Sequence, residues 1–115
     1  MTNVIKNITE HYKSAIGGDL SKYHCKEWNC DIYYRKTYPF KDEARVIELQ
    51  AQGKTAEALV TGLVLKARRA DGSKMFAEGD VVTLMNEADP NVIVKVAAAI
   101  NSAKLESNVE TLAKE

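Results

Sequence analysis

The chain has 115 residues, 45% hydrophobic and 28% charged, with 16 basic side chains balanced by 16 acidic ones. That length suits one domain, and the composition is too apolar for an unfolded chain. No run of about 18 apolar residues is present, which excludes a membrane-spanning helix, and zero net charge with no basic stripe argues against nucleic-acid binding.

The first segment, Asn3 to Ile16, reads as a helix. Ile5, Ile8, Tyr12, Ala15 and Ile16 share one face at helical spacing. Thr2 is the expected N-cap, and Gly17 with Gly18 is expected to end the helix in the left-handed C-cap conformation. So clean an apolar face predicts that this helix docks on the body. The same residues interrupt their apolar positions with Lys, Asn, Glu and His, so they do not form the core of a signal peptide. The protein is therefore expected to stay where it is made.

Tyr23 to Tyr38 reads as a β-hairpin, with its turn near Trp28 and Asn29, and Asn29 able to take positive φ. Ile32, Tyr34 and Lys36 would share one face, and Tyr33, Arg35 and Thr37 the other. Neither face is cleanly apolar, so the hairpin must pack on helices or pair with a further strand. Lys41 to Gln52 reads as a helix with two apolar sides. Phe40, Ala44, Ile47 and Ala51 are expected inward, and Val46 with Leu49 on a second, outward stripe.

Thr55 to Arg69 carries the strongest helical pattern. Ala56, Leu59, Val60, Leu63, Val64 and Ala67 form a wide stripe, and Leu65 lies almost opposite it. Gly62 inside this helix suggests close packing. Arg68 and Arg69 would then face the negative end of the helix dipole. Asp71-Gly72 is a turn. Glu78 to Ala88 reads as a helix with Val81, Leu84, Met85 and Ala88 inward. Pro90 starts the next helix behind Asp89 as N-cap, with Ile93, Val96, Ala97 and Ile100 inward. Residues 105–115 read as an extension of that helix or a frayed tail. The expected fold class is α+β, a small N-terminal β-hairpin or sheet with a mostly helical body of four to five helices, all in one domain.

Chemistry-bearing residues are few. Cys25 and Cys30 are five apart and His11 and His24 do not pair, which is not zinc-ligand spacing. His24 and Cys25, adjacent in a strand, would point to opposite faces, which argues against a catalytic dyad. Two cysteines are too few for a disulfide framework and are read as thiols. No nucleophile elbow or phosphate loop is present. The expectation is a protein without catalytic residues, cofactor or metal. The apolar residues left off the predicted inner faces are Trp28, Tyr34, Val46, Leu49 and Leu65. These are the candidate partner-binding residues.

One stretch carries a resemblance. In DGSKMFAEGDVVTLMNEADPNVIVKVAAAI, from Asp71 to Ile100, a D-G-x-x-x-F turn opens one helix and an A-D-P break opens another. Upstream, Trp28 sits in a hairpin turn, Ile32, Tyr33 and Tyr34 form a strand, and KDEARVIELQAQGK starts a charged helix. In this order the segments from Tyr23 to Ile100 resemble the tail assembly chaperones of long-tailed, non-contractile bacteriophages. The resemblance implies a non-enzymatic protein that binds the tape measure protein and helps recruit tail tube subunits. It implies residence in the cytoplasm of a bacterial host, absence from the finished virion, and often a frameshifted longer form. Self-association into a homo-oligomer is a further partner state; nucleic acid and membrane are not expected partners. The alternatives are a structural tail or head-completion component kept in the virion, and a small DNA-binding regulator.

Overall fold

The computed structural model describes residues 3–100. Its elements run α1 (Val4–Ile16), β1 (Ser21–Cys25), β2 (Cys30–Tyr34), α2 (Phe40–Ala51), α3 (Thr55–Lys66), α4 (Asp80–Glu87) and α5 (Pro90–Ile100). This is the expected α+β architecture, a two-stranded antiparallel hairpin with five helices. The expectations for residues 105–115 and for Thr2 as a cap lie outside the described residues.

The hairpin turns where it was expected. Asn29 takes φ 50°, and the register pairs Tyr23 with Ile32 and Cys25 with Cys30. One face proves apolar after all, because Cys25, Ile32 and Tyr34 all point into the core. The outer edge of β2 is met by the chain leaving α3. Tyr33 N–H donates to the Arg68 carbonyl at 2.9 Å, and Arg68 N–H returns the bond to Tyr33 at 2.7 Å. Arg68 also bridges to Lys74 beyond the Asp71-Gly72 turn, where Gly72 has φ 88°. Helix α3 therefore stops at Lys66 rather than Arg69. An extended Arg68 satisfies the hairpin edge, which a helical one would leave open.

Helix α3 is the centre of the molecule. Helices α2, α4 and α5 all pack on it. Its C-terminal half is consequently buried on every side, including Leu65, which is only 5% exposed. The expectation that Leu65 faces outward is overturned: three neighbours leave no outward side there. Ala56 and Leu59, expected inward, lie on the exposed side of its N-terminal half.

On α2 the large side chains of the two apolar stripes are exchanged relative to the expectation, while Ala44, expected inward, is half-buried. Val46 and Leu49 are half-buried, whereas Phe40 and Ile47 are exposed. The packing of α2 on α3 chooses the stripe, and Val46 lies against Gly62. Helix α4 turns Val81, Leu84 and Ala88 toward the core, but Met85 is exposed. Helix α5 follows its pattern. Asp89 accepts from Asn91 N–H at 2.9 Å as an N-cap, and Ile93, Val96, Ala97 and Ile100 are buried together with Val92.

Helix α1 departs most from expectation. It buries no residue, and Val4, Ile5 and Ile8 are all exposed. Its N-cap is Asn3, whose side chain accepts from Lys6 N–H at 3.1 Å. Gly17 has φ −81°, so it is not a left-handed cap. Its role is close approach, since a Cβ there would come within 3.0 Å of the Lys13 carbonyl oxygen. No described helix is long and apolar enough to cross a membrane.

Candidate functional site

The packing of α2 and α5 on α3 leaves a groove of about 920 Å³ along α3, from Thr55 to Lys66. Buried Ala58, Leu63, Ala97 and Ile100 line its inner part. Four large apolar side chains stand exposed around it: Phe40 (76%), Val94 (56%), Ile47 (54%) and Leu59 (36%). One exposed apolar residue carries no meaning on a protein surface. Four around a single concave face form a contiguous patch of the kind that marks an interaction site.

Charge in the groove is confined and neutralised. Among the described residues, Glu43 and Lys66 are its charged lining residues, and they pair with each other at 2.8 Å. The contacts at that end begin with the α3 terminus. A buried helix end must satisfy its last carbonyl groups. The Tyr38 hydroxyl donates to the Lys66 carbonyl at 2.6 Å, and the Arg68 guanidinium donates to the Leu65 carbonyl at 2.7 Å. Tyr38 in turn accepts from Arg35 N–H at 2.8 Å. Its ring lies beneath both cations, 5.7 Å from Lys66 Nζ and 5.4 Å from Arg68 Cζ, within cation–π range. Burial pushes the Tyr38 hydroxyl pKa up; the bond from Arg35 and the nearby Arg68 oppose that shift without cancelling it. Burial likewise lowers Arg68, although a guanidinium stays charged.

The five candidate residues are not brought together. Val46 lines the groove, and Leu49 is half-buried on the same helix without reaching it. Leu65 and Tyr34 belong to the buried interior, so they are not free to meet a partner. Trp28 is half-buried and packs on the core beside a second cleft of about 520 Å³, together with Met75, Phe76 and Leu84. The rim residues Phe40, Ile47, Leu59 and Val94 escaped sequence reasoning. Only Val94 left a signal, since it is apolar yet lies off the inner face of α5.

Cys25 and Cys30 oppose each other beside the hairpin turn as free thiols, Cys25 in the core and Cys30 half-buried. Burial, then the neighbouring Cys25 and Asp31, push the Cys30 thiol pKa up. His24 lies on the opposite face of β1, where its Nδ1 meets Asp31 at 2.7 Å across the hairpin. Among the described residues, no group of three His, Cys, Asp or Glu side chains is placed to hold a metal ion. Compared with protein-family models, curated proteins and solved structures, the chain matches none.

Proposed function

We propose that this chain is a phage or prophage tail assembly chaperone whose α2–α3–α5 groove receives an amphipathic helix of the tape measure protein. The observation that carries the reading is the neutral apolar groove with Phe40, Ile47, Leu59 and Val94 exposed around it. A tape measure chain is long and helical and aggregates while its apolar stripes are uncovered. A groove along a 12-residue helix, roughly 18 Å, accommodates about three turns of such a stripe. Because Glu43 and Lys66 neutralise each other, the groove favours an uncharged stripe. The order of hairpin, D-G-x-x-x-F turn and A-D-P break supports the same reading. No covalent chemistry is required. The chain would act in the host cytoplasm, aid recruitment of tail tube subunits, and leave before the virion is complete.

The test is co-expression with segments of the tape measure protein encoded beside it. Changing Phe40 and Ile47 together to Ser removes two exposed side chains, so the circular dichroism spectrum should not change. Capture of the tape measure segment should fall at least about tenfold, or ~1.4 kcal/mol. Unchanged capture places the contact elsewhere. A wild-type protein that captures no segment and co-purifies with finished virions supports a structural tail component instead.

A further inference from the structure

The chain that carries this apolar groove also carries an apolar helix against which no other described element packs extensively. In α1, Val4, Ile5, Ile8 and Tyr12 lie on one stripe, and every charged residue of the helix lies off it. Val4 is 62% exposed, Ile5 68% and Ile8 56%. The seat α1 takes against its own chain is also a poor one. It leaves the Tyr12 hydroxyl buried without a hydrogen-bond partner among the described residues, an arrangement that costs free energy. Gly17 and Gly18 follow α1 directly and lead into β1.

We propose that α1 of one copy of this chain seats in the α2–α3–α5 groove of a second copy, reciprocally, giving a closed dimer. The dimensions match: α1 has 13 residues and α3, along which the groove runs, has 12. The polarity matches as well. Among the described residues the groove has no unpaired charge to satisfy, and the α1 stripe offers none. A helix of this length laid in a groove hides roughly 300 Å² on each side, so a reciprocal pair hides about 1,200 Å², the lower bound for a stable interface. Exchange closes the assembly at two copies, since each helix and each groove is then used once. The inference concerns the protein without a bound partner, since α1 and a tape measure helix would compete for the one groove.

Sedimentation equilibrium of the full chain, over a micromolar concentration series, tests it. The wild type should dimerise. Ile5→Ser with Ile8→Ser disables the helix, and Ile47→Ser with Val94→Ser disables the groove. All four positions are exposed in the single chain, so both variants should fold normally by circular dichroism. Each should raise the dimer Kd at least about tenfold. Mixing the two variants should restore association into a heterodimer, because the intact α1 of one meets the intact groove of the other. Removing residues 101–115 should leave the dimer in place. A monomeric wild type overturns the proposal, as does a helix variant that dimerises like wild type. So does a mixture that associates no better than its parts. Loss of the dimer on removing 101–115 also overturns it and makes the C-terminal segment the occupant.

Discussion

Leu65 shows how a single residue's role is settled by its neighbours. Helical spacing places it opposite the Leu63 stripe, where truncation should cost under about 1 kcal/mol. In the folded chain both are buried, at 5% and 2% exposure. Leu65→Ala is therefore expected to cost about 2–5 kcal/mol, much like Leu63→Ala, because each leaves a cavity that three packed helices cannot fill. Urea denaturation of both variants checks this, and a Leu65→Ala loss well below 1 kcal/mol would return that side chain to the surface.

Helices show the same dependence in a different form. The two stripes of α2 are both apolar, and its local pattern has no preference between them. The contact with α3 decides, and it turns Val46 inward and Phe40 and Ile47 outward. Gly62 lies at that contact. A Cβ built on it would meet Val46 Cγ2 at 3.5 Å, an ordinary van der Waals distance. The close packing that a mid-helix glycine suggests is therefore real but leaves room for a methyl group. Gly62→Ala is expected to be neutral or to stabilise the protein by up to about 1 kcal/mol, through better helix propensity. Thermal melts would read this as an unchanged or raised Tm; a clear drop would mean the α2–α3 contact cannot accept the added carbon.

At the scale of the whole molecule, Tyr38 ties the loop after the hairpin to the end of α3 and the charged end of the groove. Its pKa is raised above the ordinary value of 10.0. The folded state therefore holds this proton more tightly than the unfolded state does. The resulting stability is fully present below pH 10 and is lost as pH rises through the folded pKa. Tyr38→Phe is expected to cost about 1–3 kcal/mol at neutral pH, since it orphans Arg35 N–H and removes the hydroxyl donor to Lys66. It should also flatten the alkaline fall in stability. Denaturation at neutral and at strongly alkaline pH measures both effects, and an equally steep alkaline fall in the variant would assign it to other groups. The sequence by itself determined the order and type of the elements, because turns and periodicity are local, whereas the end of α3 at Lys66 was set by the hairpin edge. Asn29 in its turn, Asp89 before Pro90 and the inner face of α5 all follow from neighbours within a few residues. Tertiary structure alone decided which apolar faces are covered. It buried Leu65 and Tyr34, exposed α1, and assembled a groove from Phe40, Ile47, Leu59 and Val94, which come from three helices. Apolar surface is hidden by whatever lies across from it, and that neighbour is distant in the chain: periodicity tells which residues share a side, but not which side meets another helix.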